Sequence, residues 1–193
     1  MQCKFVHDRV QQAAYSLVPE PERPALHLHI GRLLRRDTTE AGLAGRIFEI
    51  TRHLNSGRDL ITEVGEREQL VRLNLIAGRK AKQSAAYESA LRHLTLATDW
   101  LTADDWERNY EMAFGLYKDR IECEFLCSHP EVADQLVQSV TARTRNRLDQ
   151  AALTGIQAAA YSNLGKLVES ANMSLAGLRL FGVTWSSAPR SRR

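Results

Sequence analysis

Apolar or small residues recur at Leu70, Leu73, Ala77, Ala81 and Ser84, then at Tyr87, Ala90, Leu94, Ala97 and Leu101, in steps of three and four. Each half of this stretch predicts a helix with one apolar stripe. Ser84-Ala85-Ala86 predicts a break between them. The stretch contains no proline, and its only glycine is Gly78. Gly78, Ala81, Ala90 and Ala97 are small, whereas Tyr87, Leu91 and Leu94 are bulky. Small side chains let two helix axes approach and bulky ones fill the flanks, so a tight antiparallel hairpin is expected.

The remaining chain carries the same period. Phe5, Val6, Val10, Ala13, Ala14 and Leu17 lie on one side of a predicted helix over residues 5–17. Pro19, Pro21 and Pro24 mark a turn and the next helix start. That helix carries Leu26, Ile30, Leu33 and Leu34 to Arg35-Arg36. A third follows over residues 40–54, with Leu43, Ile47, Ile50 and Leu54 inward, stopped by Asn55-Ser56-Gly57. Residues 59–63 predict a short helical turn. Thr102-Ala103-Asp104-Asp105 predicts a cap and an acidic first turn for one helix over residues 105–127. Its face is Trp106, Tyr110, Ala113, Tyr117 and Ile121, flanked by Phe114 and Phe125. Its partner follows the Ser128–Glu131 turn, with Val132, Ala133, Leu136, Val137 and Val140. Residues 148–168 carry Leu153, Ile156, Ala160, Leu164 and Leu167, with Asn163-Leu164-Gly165 as the turn of a third hairpin. Leu175, Leu178 and Phe181 lie on the last helix, ended by Gly182. Ala90, Ala133 and Ser170 take corresponding small-residue places, 43 and 37 residues apart. No alternating strand pattern appears, so an all-α fold is expected.

The spacing of Gly78, Ala90 and Ala97 resembles the tetratricopeptide repeat. Its ideal period is about 34 residues, so the three units are loose. The resemblance implies an α–α superhelix, with Gly78, Ala81, Tyr87, Ala90, Leu94, Ala97, Ala133 and Gly165 as repeat-packing positions. An irregular helical bundle is the alternative. A second resemblance rests on residues 5–19 (FVHDRVQQAAYSLVP), Arg23, Leu26-His27, Ile30-Gly31, Leu34, Glu49-Ile50, His53-Leu54-Asn55 and Gly57. It continues through residues 77–82 and 85–87 and covers most of residues 5–183. These residues resemble a region of large bacterial signalling proteins in which it follows an ATPase module of the STAND class and leads into helical repeats. Many such proteins also carry a serine/threonine kinase domain in front and a GAF plus histidine kinase module behind. The resemblance implies a helical segment at 1–57 that would follow the ATPase, repeats over 58–184, and a basic disordered tail at 185–193. The ATPase and kinase parts are absent here. The implied role is non-catalytic: protein–protein interaction and interdomain coupling through the concave face of the first helices. Candidate partner-face residues are Arg72, Asn74, Arg79, Lys82 and Gln83, with Lys118 and Glu122 in the next unit. The expected partner is a protein, a peptide or another domain of the same parent chain.

Charge narrows the classes further. The net charge is +3, and Arg190, Arg192 and Arg193 account for it: without them 23 basic residues face 23 acidic ones. A neutral body argues against a nucleic-acid footprint, although a DNA-binding regulator and an all-helical enzyme stand as rival classes. Three cysteines make no disulfide framework. With no signal peptide and no membrane-length apolar run, a cytoplasmic location is expected. No phosphate-binding G-x-x-x-x-G-K-[ST] motif is present, and no H-E-x-x-H or G-x-S-x-G. No cofactor and no catalytic residue is therefore assigned. Cys123 and Cys127 with His129 lack further metal ligands, and His27 and His29 point in different directions on a helix. His7 and Asp8 are adjacent, so they do not face each other as an acid–base pair. Trp100, Trp106 and Tyr110 are assigned to packing between hairpins. Met1 leads at once into a helical register, so a fragment of a longer protein is expected. The apolar surface of that first helix predicts self-association.

Overall fold

The computed structural model describes residues 15–183. Among them run nine α-helices, two single 3-10 turns and no strand, so the fold is all-α. The helices are α1 (Arg23–Arg36), α2 (Glu40–Ser56), α3 (Val64–Gln83), α4 (Tyr87–Thr98), α5 (Ala103–Arg108), α6 (Tyr110–Leu126), α7 (Pro130–Thr141), α8 (Arg147–Asn163) and α9 (Leu167–Arg179). The chain falls into two compact units, Met1–Ala77 and Gly78–Arg193, the division lying inside α3. The helix predicted over residues 5–17, its expected self-association and the tail at 185–193 lie outside the described residues, save the few at Tyr15 and beyond.

In the first unit, Pro24 occupies the opening turn of α1, where a missing N–H costs nothing. Thr39 caps α2 by accepting a hydrogen bond from the Gly42 amide at 3.2 Å. Two glycines let α1 and α2 close together. A Cβ at Gly31 would lie 2.6 Å from Leu54 Cδ2 and 3.0 Å from the Leu54 nitrogen. A Cβ at Gly57 would press on the Pro24 carbonyl oxygen and lie 2.7 Å from Leu28 Cβ. Leu28, Ile47, Ile50, Leu54 and Ile61 fill the interior. Arg32 grips Glu66 with two bonds of 2.8 Å, tying α1 to α3. Asn55 and Asn74 exchange reciprocal amide bonds of 2.9 Å, and Asn74 Nδ2 also donates to the Leu70 carbonyl.

In the second unit one turn is written three times. Ala85, Ser128 and Gly165 take φ of 57°, 64° and 73°. In each case the next residue's amide reaches back five residues: Ala86 to Ala81, His129 to Glu124 and Lys166 to Tyr161, at 2.9, 2.8 and 2.8 Å. The amide of the left-handed residue itself bonds three back, to Lys82, Phe125 and Ser162. This paired pattern is the Schellman stop, which satisfies the last carbonyls of the first helix. Five residues beyond the left-handed position stand Ala90, Ala133 and Ser170 in turn. Ala90 and Ala133 are fully buried, and Ser170 Oγ donates to the Ala158 carbonyl on the facing helix at 2.8 Å. A Cβ at Gly78 would lie 2.7 Å from Leu94 Cγ, which accounts for the one glycine of the first hairpin. α4 packs on α6, and α8 packs on both α6 and α7. The core combines the aromatic Trp106, Tyr110, Phe114 and Phe125 with the aliphatic Val137, Val140 and Leu153.

Four expectations need correction. The helix read over 105–127 is two helices. Thr102 and Asp105 form a reciprocal capping box that starts the short α5, and Asn109, at φ −138° and ψ 54°, breaks the chain before α6. Gly165 is not a packing residue: it is the exposed left-handed turn, with open space where a Cβ would stand. Leu164 and Leu167 do not continue the inward stripe of α8, because the turn ends that helix at Asn163 and leaves both exposed. Asn74 is not an outward residue, because its amide pair with Asn55 draws it inside, to 1% exposure.

Candidate functional site

The second unit gathers charge where the first helices of two successive hairpins meet. Arg79 and Lys82 sit one turn apart on α3, and Asp119 and Glu122 one turn apart on α6. Arg79 Nε donates to Asp119 Oδ2 at 2.7 Å. Lys82 Nζ donates to Asp119 Oδ1 at 2.6 Å and to Glu122 Oε2 at 2.8 Å. Asp119 is buried, at 6% exposure, and both its oxygens are occupied by cations. Burial alone would raise its carboxyl; the bonds from Lys82 and Arg79 hold it below the usual carboxylate value. Burial would likewise lower the Lys82 ammonium, and Asp119 and Glu122 raise it instead. Three residues expected on the partner face, Arg79, Lys82 and Glu122, are thus brought together as a clamp between hairpins. Arg79 and Glu122 keep about half of their side-chain surface open, 50% and 45%. Lys118 is partly exposed beside them on α6, and Gln83 is exposed at the end of α3. Arg72 lies in the first unit, where it lines a separate cleft of about 760 Å³ with Arg35, Glu40 and Gln69.

Beyond Glu122 the surface between α6 and α8 opens into a cleft of about 520 Å³. Its walls are mostly apolar: Phe125 and Leu126 from α6, and Ala152, Ile156, Ala159 and Ala160 from α8. Gly155 stands in the α8 wall with nothing within 4 Å of a Cβ position. Small residues on α8 therefore leave this cleft open. Its polar lining residues are Ser128, Asn163 and Glu122, whose carboxylate is half open. A few polar groups around an apolar floor can orient an apolar anchor residue.

Asp119 was missed from the sequence. The available signal was two i,i+3 charge pairs of opposite sign, Arg79/Lys82 and Asp119/Glu122, standing 40 residues apart in both members. A second buried carboxylate, Glu124, was missed as well; it meets His129 Nδ1 at 3.0 Å. Tyr110 donates to Asp149 Oδ2 at 2.6 Å, and Tyr161 donates to Asp134, so aromatic residues on the first helices anchor neighbouring helices. Trp106 packs in tilted contact with Tyr110 and Tyr117. Trp100 is only partly buried. Burial drives the Cys123 thiol up to about 12, and burial with Glu88 drives Cys127 to about 11. Both are thiols rather than thiolates at neutral pH, which weakens them as nucleophiles.

A third polar feature lies in the first unit. The Arg52 guanidinium, which can only donate, meets His53 Nε2 at 2.8 Å. Neutral His53 then carries its proton on Nδ1 and donates to His27 Nδ1 at 2.9 Å. His27 in turn presents Nε2–H towards the Tyr15 hydroxyl at 3.1 Å. A proton added to either ring sets N–H against N–H. Burial, then Arg52, then His27 push His53 down to about 4, and burial with Arg52 lowers His27. The unfolded chain takes up its proton near 6.5 while the folded chain resists until about 4, so stability falls as pH drops through that window. Going from pH 7 to pH 5 is expected to cost about 2 kcal/mol from His53. Melting temperatures across that range, compared with His53→Gln, measure it. His93, also lowered by burial and Arg92, is present in both proteins. Equal slopes would show that the histidine pair is not the source.

Among the described residues no helix is long and apolar enough to cross a membrane, and no cluster of three or more metal-ligating side chains occurs. No family model matches the chain. No solved structure matches it. Over 165 residues, 73% of this chain, it is 30% identical to hybrid signal transduction histidine kinase G of Dictyostelium discoideum. The alignment covers 5% of that protein, so the chain spans about one-twentieth of the curated relative it matches. That relative is not bacterial, and the bacterial source suggested by the sequence resemblance has no support in it. The chain is similar to one region of a signal-transduction kinase.

Proposed function

We propose that this chain is a non-catalytic interaction and interdomain-coupling module of a multidomain signalling protein. On this reading residues 58–184 are tetratricopeptide-like repeats and residues 1–57 are the helical segment joining them to a STAND-type ATPase module. The observation that carries it is the recurrence of one left-handed turn at Ala85, Ser128 and Gly165, each followed five residues later by a small residue at the hairpin contact. Repetition of one hairpin places successive first helices side by side, and such a surface binds extended or helical segments. The apolar cleft between α6 and α8 is the contact surface on this reading, and the Arg79–Lys82–Asp119–Glu122 clamp holds its α6 wall to the preceding hairpin. The similarity to a region of a histidine kinase supports a signalling context.

The test is selection of peptides from a random display library on the whole chain, followed by amide chemical-shift mapping. Selected peptides should carry a large apolar anchor and perturb the amides of Phe125, Ile156 and Ala159. Gly155→Trp fills the cleft from a position with open space around it, and it should weaken binding by at least about tenfold, or 1.4 kcal/mol. Peptides that map elsewhere and bind Gly155→Trp equally well would overturn this assignment.

A further inference from the structure

The charged residues expected on the partner face are four cations, Arg72, Arg79, Lys82 and Lys118, and one acid, Glu122. By count alone they would select an acidic segment. Folding reverses that balance at the cleft between α6 and α8. Arg79 and Lys82 are both engaged on buried Asp119. Arg72 lies in the first unit, and Lys118, one turn before Glu122, is not among the cleft walls. Glu122 is the one ionisable residue among those walls.

That carboxylate is only half answered. Its Oε2 accepts from Lys82 at 2.8 Å, whereas its Oε1 meets no donor among the described residues. The clamp as a whole is balanced, Arg79 and Lys82 against Asp119 and Glu122. Two helix ends tip the cleft beyond balance. Its walls include the last turn and stop of α6, at Phe125, Leu126 and Ser128, and those of α8, at Ala160, Asn163 and Leu164. Aligned peptide dipoles leave the C-terminal turn of a helix partly negative, and such an end favours a cation. Ser128 and Asn163 add side-chain oxygens that can accept hydrogen bonds. The cleft thus joins apolar walls to acceptors and negative helix ends, with no cation lining it.

We infer that the occupant of this cleft, on the reading of it as a contact surface, is a protein segment in which a large apolar side chain stands next to a lysine or arginine. The apolar side chain enters among Phe125, Ile156 and Ala159. The neighbouring cation donates to Glu122 Oε1, a charge-assisted bond that a neutral flank cannot make. An acidic flank would set like charge against Glu122 and against both helix ends. Lys82 does not take the place of the incoming cation, because Asp119 holds its ammonium at 2.6 Å on the other side of the clamp. An exposed ion pair and a helix end each act modestly, so the preference is a matter of several-fold.

Amide chemical-shift titration of the whole chain tests this with three blocked peptides, acetyl-Gly-X-Trp-X-Gly-amide, in which X is lysine, glutamine or glutamate. At low ionic strength the lysine peptide should bind about fivefold tighter than the glutamine peptide, and the glutamate peptide should bind weakest. The shifts should fall on Phe125, Ile156 and Ala159, and added salt should narrow the contrast. Glu122→Gln keeps an oxygen for Lys82; it should remove most of the lysine preference and leave the glutamine peptide unchanged. Circular dichroism checks its fold, and the comparison of flanks in the unchanged chain decides the sign without it. Three peptides that bind the cleft equally overturn the inference and leave the contact surface standing. Tighter binding of the glutamate peptide, or a lysine preference that survives Glu122→Gln, overturns it too. So does the absence of shifts at the cleft with every peptide, in which case the display selection judges the contact surface separately.

Discussion

Gly57→Ala is expected to destabilise the α1–α2 pair by about 3 kcal/mol, the upper end for overpacking a tight contact. The added methyl would press on the Pro24 carbonyl oxygen and stand 2.7 Å from Leu28 Cβ and 3.1 Å from the Leu28 nitrogen. Two of these three neighbours are backbone atoms, and the third is the first carbon of a buried side chain. None can rotate away, so the helices must separate. Gly31→Ala provides the scale: its methyl would meet Leu54 Cδ2 and Cγ, atoms on a side chain that can turn, and one backbone atom, the Leu54 nitrogen at 3.0 Å. It should cost less, about 1–2 kcal/mol. Gain of helix propensity does not enter at Gly57, which caps α2 rather than lying within it. Urea midpoints of the three proteins measure the order. A Gly57→Ala protein as stable as the parent would mean that α1 and α2 do not approach as described.

Asp119→Ala is expected to cost about 3 kcal/mol, because it leaves two cations facing a buried site without their carboxylate. Lys82 would retain Glu122 alone, and Arg79 would lose its bond. Arg79→Ala, by contrast, should cost about 1 kcal/mol or less. Its side chain is half exposed, and Asp119 would keep Lys82. The asymmetry between partners of one ion pair separates this cluster from an ordinary surface bridge, for which both changes would be small. Equal, small losses in denaturant melts would show that water reaches Asp119.

The helices were legible in the sequence because apolar spacing and turn chemistry are local. Leu43, Ile47, Ile50 and Leu54 state the inward face of α2 without reference to any other segment, and all four are buried. The first hairpin was legible to its contact: Gly78 stands against Leu94, and Ala90, Leu94 and Ala97 are buried as their spacing requires. The turn at Ala85 was read as a break, yet its left-handed backbone was not, because alanine ordinarily avoids that conformation. What spacing cannot state is the fate of a polar residue. Asn74 and Arg72 look alike as outward positions on α3; only Asn55, nineteen residues earlier, decides that Asn74 goes inside. Asp119 likewise depends on Arg79 and Lys82, about forty residues away. The break at Asn109 was hidden for a related reason: Trp106 and Tyr110 keep helical spacing across it, and both are buried.

The shortness of the hairpins bears on how the chain finds its fold. Lys166 bonds back to Tyr161, Ser170 reaches Ala158 only twelve residues away, and even the clamp between hairpins joins residues 40 apart, Arg79 to Asp119 and Lys82 to Glu122. Closing a loop costs entropy that grows with the logarithm of its length, so none of these contacts waits on a distant encounter. Each hairpin in the second unit can gather around its own left-handed turn, and docking neighbours then adds one interface at a time. A unit held by such short-range contacts folds quickly, by zipping outward from whichever hairpin forms first.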